Sequence, residues 1–527
     1  MQRHWSGARP GTPAASLGLA AWLRRVAARY PDRPALTCDD DTWAYGELQL
    51  RVERFAAALV RGGVGPGVRV AFLGFNDPQF LVALFACARL GAILVPLNFR
   101  LSGPELAFIA NDSTPHTLIV DAAHRPVIDA VRAQLPCSRW ITCEPQGAPG
   151  WESLAQALAA PAGASAPAEV AAGADDVAVV MYTSGTTGHP KGAMLTHGNF
   201  WSNNLNAHHS LALRTDDVLL NFAPLFHVGG LCALTLPGLQ MGAHVVLQRA
   251  WDPQAVLDAV RAHRVTVSFG VPSMLLFLSQ HPGFDAADLS CIRCITVGGA
   301  PMPESLLQLY EARGVAVIQG FGMTETTSTV SLLSPDRAHA KLGSSGTAAL
   351  MCETRLTDRD GRTIAQPHVR GELCVRGSNV MLGYWGRPDA TAQAFDDDGW
   401  FHTGDVAYQD EDGFLYICDR LKDMVISGGE NVYPAEVESV LYQHPAVAEV
   451  AVIGAPDPKW GERVVAVAAL RPGAELTLDA LQAFARGQLA GYKLPRELRV
   501  VDALPRNPTG KVLKARLREA AVGRPSD

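Results

Sequence analysis

The chain has 527 residues, 48% of them hydrophobic and 18% charged, with a formal net charge of −7 at pH 7. That length suits roughly three to four domain-sized units or fewer large ones; the apolar share provides for a full core, and the acidic balance excludes nucleic-acid binding through a basic surface. Ten cysteines are scattered without a pairing framework, which points to a reducing, cytoplasmic setting.

At the N-terminus, Arg3, Arg9 and the apolar run 14–23 faintly resemble a signal peptide. However, Leu19, Trp22, Leu23 and Val26 recur at i, i+3, i+4 and i+7 with Arg24 and Arg25 opposite, the pattern of an amphipathic first helix of a folded domain. A second helical pattern covers Tyr45–Arg61. The most apolar window, 80–97, is interrupted by Arg89 and Gly91, so it reads as a helix followed by a strand and not as a span of ~20 apolar residues. No integral membrane span is expected; peripheral membrane contact and oligomerisation stay open. Short β-branched runs at 68–73, 93–95, 117–120, 177–181, 245–247, 265–269, 292–297 and 316–318 alternate with helical stretches such as Pro253–His263. This rhythm predicts parallel sheets covered by helices.

The Ala/Pro/Gly-rich segment 159–174 reads as a surface connector. Cys291 and Cys294 form a lone C-x-x-C that runs into an apolar strand, which indicates core packing and not a metal pair. From 346 to 417 short strands alternate with Asp-Gly turns (Asp360-Gly361, Asp398-Gly399, Asp412-Gly413), predicting an antiparallel β-rich subdomain. Between 486 and 518 there are nine Lys/Arg against two Asp/Glu. That excess reads either as a solvated basic face or as a site for a phosphate-rich second substrate.

The most informative stretch is Tyr182-Thr-Ser-Gly-Thr-Thr-Gly-His-Pro-Lys-Gly192. Its glycines can expose backbone N–H groups, its hydroxyls add uncharged donors, and Lys191 supplies a point charge, all suited to polyphosphate oxygens. The spacing matches neither G-x-x-x-x-G-K-[ST] nor G-x-G-x-x-G. The loop resembles the phosphate-binding signature of the adenylate-forming enzymes, which include acyl-CoA synthetases, beetle luciferases and peptide-synthetase adenylation domains. Asn221-Phe-Ala-Pro-Leu-Phe-His227, Gln319-Gly-Phe-Gly-Met-Thr-Glu325, Gly399-Trp-Phe-His-Thr-Gly-Asp405, Asp419-Arg-Leu-Lys422 and Pro505-Arg-Asn-Pro-Thr-Gly-Lys511 follow in that family's order.

The resemblance implies an α/β fold. A large N-terminal domain (1–421) would hold parallel sheets covered by helices plus a β-rich subdomain, and a small mobile α+β C-terminal domain (422–527) would carry Lys511. It implies ATP, Mg²⁺ and CoA, and attack of a carboxylate on the α-phosphorus. Two anions must meet there, so cations and oriented donors are required.

By resemblance, Thr183, Ser184, Gly185, Thr186, Thr187, Gly188 and Lys191 hold the departing phosphates. Gly298, Gly299, Ala300, Gln319, Gly320, Phe321, Gly322, Met323 and Thr324 line the nucleotide. Glu325 with Thr183 holds Mg²⁺, a hard cation suited to carboxylate and phosphate oxygens. Asp405 accepts from the ribose hydroxyls, and Arg420 reaches ribose or phosphate. Lys511 bridges the carboxylate and the α-phosphate; with Glu325, Thr324 and His227 it completes the catalytic set.

His227, Val228, Gly229 and Gly230 border the acyl pocket, which the abundant glycines suggest is a roomy apolar tunnel. Lys422 is the hinge about which the C-terminal domain alternates, and Gly428 and Gly429 border the thiol's path. Sixteen residues follow Lys511, too few for an attached carrier domain, so the expected acceptor is diffusible CoA. Ile426-Ser-Gly-Gly-Glu-Asn-Val-Tyr-Pro-Ala-Glu436 and Pro458-Lys-Trp-Gly-Glu462 resemble bacterial fatty-acid–CoA ligases. The expected acid is therefore a medium- or long-chain fatty acid. Aryl acids of the coumarate and ferulate type, or loading of a separate carrier protein, are the alternatives. A luciferin oxygenase would use the same adenylate, and a non-catalytic relative would be expected to lack Lys511 or Glu325.

Overall fold

The computed structural model describes residues 16–159, 167–183, 190–427, 429–506 and 512–522. Ser184, Gly185, Thr186, Thr187, Gly188, Gly428 and Lys511 lie outside the described residues. The chain divides into two compact units, Met1–Asn204 with Met381–Gly386, and Leu205–Val380 with Arg387–Asp527. The expected boundary at 421/422 falls inside the second of these.

The first unit is built on a seven-stranded sheet in the order Glu152–Ser153, Arg139–Thr142, Thr117–Val120, Arg69–Leu73, Ile93–Leu97, Val177–Thr183, Lys191–Thr196. All neighbours run parallel except the last two strands, which are antiparallel. Thr117–Val120 and Ile93–Leu97 are buried along their whole length, as expected of strands covered on both faces. Helix Pro78–Leu90 starts where Asp77 accepts the Gln79 N–H at 2.8 Å and ends at Gly91, so the long apolar window is a core helix plus a strand. The first helix, Leu19–Arg29, buries Leu19, Trp22 and Leu23 and leaves Arg24 and Arg25 exposed. Trp22 meets Phe85 edge-on at 5.1 Å, a contact of about 0.5–1.5 kcal/mol beyond its buried area. Among the described residues no helix is long and apolar enough to cross a membrane.

In the second unit, five parallel strands lie in the order Val317–Phe321, Cys294–Val297, Val267–Gly270, Val218–Asn221, His244–Leu247. Ser331–Leu332 and Thr347–Ala348 extend this sheet antiparallel beyond Val317–Phe321. Strand Cys294–Val297 begins two residues later than the β-branched run suggests, because Leu289 O takes the Ile292 N–H in a turn. Cys294 is buried in that strand and Cys291 half-buried beside it. Leu220, Val260, Ile295, Leu306 and Tyr310 form the core between the sheet and helices Pro253–His263 and Glu304–Ala312.

An antiparallel five-stranded sheet follows in the order Thr363–Ile364, Cys352–Thr357, Gly371–Gly377, Phe401–Gln409, Leu415–Arg420, the expected β-rich subdomain. The C-terminal stretch folds around the long pair Val447–Asp457 and Gly461–Leu470, with Glu497–Val500 parallel to the latter. Two apolar clusters form there. Val437, Val452, Ala466 and Leu481 make one, and Ile453, Val467, Leu504 and Leu517 the other.

Candidate active site

Parallel sheets present their functional loops beyond the carboxyl ends of their strands, and the second unit follows that rule. Asn221 leads to His227, Val297 to Gly298, Gly299 and Ala300, and Phe321 to Gly322, Met323, Thr324 and Glu325. His227 caps the short helix Val228–Gly230 by accepting the Gly229 N–H on Nδ1 at 3.1 Å. Burial pushes its pKa down to about 4, so the imidazole is neutral with its proton on Nε2.

The glycines here do not form a roomy tunnel. A Cβ on Gly230 would stand 2.2 Å from Pro224 O, one on Gly320 2.5 Å from Leu332 Cδ1, and one on Gly322 1.2 Å from Ser328 O. The chain itself fills these spaces. Only Gly298 and Gly299, of the five glycines in these three loops after His227 other than Gly229, have neighbours no closer than 3.6 Å. Gly229 and Gly298 bracket the half-buried ring of Phe269, at 3.0 and 3.6 Å from their Cβ positions. Gln319 is also structural on its side-chain oxygen, which accepts the Met302 N–H at 2.8 Å.

Glu325 sits buried in the one-turn helix Thr324–Thr326. The chain leaves this turn through Thr327 and Ser328 with φ of 50° and 90°, a left-handed pair that costs about 1–3 kcal/mol per residue. Fully buried Asn379 holds it: Nδ2 donates to Thr326 O at 2.9 Å and Thr329 O at 3.0 Å, while Oδ1 accepts from Cys352 Sγ at 3.0 Å. Asn206 adds a bond from Nδ2 to Thr329 O at 3.2 Å and accepts the Met351 N–H at 2.7 Å. Neither asparagine belongs to a motif, and no sequence signal would have found them.

Asp405 and Arg420 face each other across neighbouring strands, with Arg420 Nε 3.0 Å from Asp405 Oδ1. Asp405 is buried at the end of a bulge. Three residues of one strand, Glu372 to Cys374, stand against five of the next, Val406 to His402. The extra residues include Gly404, whose φ of 70° favours glycine. Glu372 accepts the Gly404 N–H at 3.1 Å, and Thr403 Oγ1 accepts the Asp405 N–H at 3.0 Å. Glu372 too was invisible as a functional residue in the sequence.

Within the first unit, Thr183 and Lys191 are register partners at either end of the expected phosphate loop. Tyr182 donates to Asp112 Oδ2 at 2.6 Å, and Lys191 Nζ lies 5.1 Å from the Tyr384 ring centroid. Tyr384 arrives on the segment Met381–Gly386, where Trp385 N donates to Gly192 O at 2.7 Å and Leu382 N to Met194 O at 3.0 Å.

Lys422 lies in the turn between Leu415–Arg420 and Val425–Ser427, with burial holding its ammonium below the usual lysine range. Gly429 has a φ of 85° in the turn before Glu430–Val432. The basic segment resolves largely toward structure. Lys493 pairs with Glu436, Arg499 with Glu497, Arg506 with Glu449, Lys514 with Glu438 and Arg518 with Asp423. Arg496 stacks 4.7 Å from the Trp460 ring. Four of these five acids come from outside the segment, which local counting cannot see.

Residues 23–385 match the AMP-binding enzyme family model, and residues 436–511 match the AMP-binding enzyme C-terminal domain. A feruloyl-CoA synthase of an Amycolatopsis species is 45% identical over 508 residues, 95% of this chain and 98% of that protein. A long-chain-fatty-acid–CoA ligase of Mycobacterium tuberculosis is 39% identical over 505 residues, 94% of this chain and 97% of that protein. Among solved structures, an O-succinylbenzoate coenzyme A synthetase from Bacillus subtilis in complex with ATP and magnesium ion is similar, at a TM-score of 0.84 and 36% identity. That match covers 94% of this chain and 98% of that one.

Proposed function

The chain belongs to the AMP-binding enzyme family as an AMP-forming acyl-CoA ligase, and on that premise we propose that its acid substrate is an aryl acid of the hydroxycinnamate type. The observation that carries this reading is the Phe269 ring bracketed by Gly229 and Gly298. A partly exposed ring beside two glycines offers a flat apolar face, against which a planar aryl group stacks better than a flexible alkyl chain. The 45% identity to a feruloyl-CoA synthase, against 39% to a long-chain-fatty-acid ligase, supports the same choice. Medium- or long-chain fatty acids become the second reading.

In the proposed reaction a carboxylate oxygen attacks the α-phosphorus of ATP and the bond to pyrophosphate breaks; the thiol of CoA then attacks the acyl carbon and AMP leaves. Thr183 to Lys191 hold the departing phosphates, and Thr324 donates toward the α-phosphate. By resemblance the carboxylate of Glu325 and the Thr183 hydroxyl would hold Mg²⁺, a hard cation that takes oxygen ligands and that when bound would neutralise phosphate charge. Asp405 orients the ribose, with Arg420 beside it fixing the carboxylate. Lys511 supplies mobile positive charge where carboxylate and phosphate meet. His227, neutral and capped on Nδ1, borders the acyl group. Rotation about Lys422 exchanges Lys511 for the thiol path along Gly428 and Gly429.

A pyrophosphate-release assay with a panel of acids, with and without CoA, tests the assignment. Hydroxycinnamates should drive release and give CoA thioesters. A response to fatty acids without one to cinnamates would overturn the substrate choice.

A further inference from the structure

The sheet that carries Asp405 also brings together three side chains of the kinds that ligate zinc-class metals. Glu372 and Cys374 alternate onto one face of Gly371–Gly377, and His402 stands directly opposite Cys374 on Phe401–Gln409. One ligand atom from each lies within 4.8 Å of the other two. His402 Nδ1 is 2.9 Å from Glu372 Oε2 and 3.6 Å from Cys374 Sγ.

A tetrahedral ion with metal–nitrogen bonds of about 2.0–2.1 Å and metal–sulfur bonds of about 2.3 Å sets its nitrogen and sulfur ligands about 3.5 Å apart. The Cys374–His402 spacing already meets this, and the Glu372 oxygen has to retreat by only a few tenths of an ångström. Behind the ring, Asp396 Oδ2 lies 3.9 Å from His402 Nε2, where a carboxylate orients a metal-binding histidine. Arg355, the register partner of Cys374 on the other side, is ion-paired with Asp396. Counting Cys374 as thiolate, the two carboxylates, the thiolate and this guanidinium leave two net negative charges, the complement of a divalent cation. Side-chain exposures of 32% for His402 and 21% for Glu372 give such an ion a way in.

We propose that Glu372, Cys374 and His402 form a site for a divalent cation of the zinc class, with a fourth position open to solvent, and that its occupancy weakens nucleotide binding. The thiolate and imidazole discriminate against Mg²⁺. Loading releases the Cys374 thiol proton to water and moves the imidazole proton from Nδ1, where it is donated to Glu372, to Nε2, facing Asp396. The coupling runs through Glu372, which accepts from His402 on one oxygen and from Gly404 on the other. Drawing that carboxylate onto a metal frees the bulge that sets Asp405.

Metal-free full-length enzyme titrated with Co²⁺, without any acid substrate, tests the site independently of the substrate assignment. The expected result is a thiolate-to-cobalt charge-transfer band that saturates at one ion per chain, is competed away by Zn²⁺ and is absent in Cys374→Ser. Absence of the band, or its survival in Cys374→Ser, overturns the site. X-ray absorption of the zinc-loaded wild-type protein covers a variant that does not fold. One sulfur neighbour at about 2.3 Å supports the assignment, and none, or two or more, overturns it. Zn²⁺ should raise the KM for ATP in wild type and not in Cys374→Ser; an equal rise in both overturns the coupling.

Discussion

Removing the Asn379 side chain should damage ATP use more than any other change outside the expected ligand-binding residues. Asn379→Ala deletes both Nδ2 bonds; the buried Thr326 carbonyl loses its donor, while Thr329 O keeps the weaker one from Asn206. An orphaned buried polar group costs about 1–3 kcal/mol. The same turn carries left-handed Thr327 and Ser328, each storing about 1–3 kcal/mol that only its surroundings hold in place. The clamp and the strain are of equal size, so without the clamp the turn relaxes and takes Glu325 with it. Partial relaxation leaves about 3 kcal/mol to appear as lost transition-state stabilisation, or about a hundredfold in kcat/KM for ATP. The assay is initial-rate pyrophosphate release against ATP concentration, with thermal unfolding in parallel. Asn379→Asp is the discriminating control: it keeps the shape but replaces two donors with acceptors, so it should be at least as damaging as alanine. If Asn379→Ala holds kcat/KM for ATP within about twofold of wild type at an unchanged melting temperature, the clamp argument fails.

Three further outcomes are expected. Lys511→Ala should abolish pyrophosphate release while sparing thioester formation from preformed acyl-adenylate; equal loss of both half-reactions would rule out domain alternation. Gly322→Ala would place a methyl 1.2 Å from Ser328 O, so it should yield unfolded or inactive protein, and a soluble, active variant would contradict the close approach. His227 has a folded pKa of about 4, depressed by burial, below the unfolded value of ~6.5. Its contribution to stability is therefore fully present above ~6.5 and is lost as the pH falls through about 4. His227→Asn, which keeps a capping acceptor, should remove about one proton, or ~1.4 kcal/mol per pH unit, from the acid-side slope of stability. Parallel slopes in urea titrations from pH 6.5 to 4 would show that the ring is not held neutral.

Much of the fold was legible because β-branched runs and amphipathic helices obey local periodicities. The strand at 117–120 and the helix Tyr45–Arg61 appear where those patterns put them, and the run at 177–181 continues as strand to Thr183. Sequence order along the motifs also sufficed for the family. What stayed hidden depends on partners distant in the chain. The edge that Met381–Gly386 adds to Lys191–Thr196 joins residues about 190 positions apart, and no local signal announces it. The acids that neutralise Lys493, Arg506, Lys514 and Arg518 lie 57 to 95 residues away. Glycine was legible as a requirement but not as to its cause. At 230, 320 and 322 the missing side chain makes room for the protein's own atoms, where the sequence suggested room for substrate.

Two of the hidden residues, Glu372 and Asn379, sit at opposite ends of one strand. Glu372 lies near the start of Gly371–Gly377 and Asn379 two residues past its end, and each holds an irregular segment bearing one of the two expected nucleotide-site carboxylates. Glu372 grips the bulge that presents Asp405, and Asn379 grips the turn that presents Glu325. Neither segment is a regular ladder, so neither conformation follows from its own sequence. A bulge or a left-handed pair persists only when the surroundings over-determine it. The interior of this strand, Leu373, Cys374 and Val375, is buried and packed against its neighbours, so its two ends move as one body. A substitution that shifts its register must therefore disturb the expected metal ligand Glu325 and the expected ribose partner Asp405 together, raising the KM for ATP and the Mg²⁺ requirement in step. A variant in which these separate would show that the two carboxylates are positioned independently.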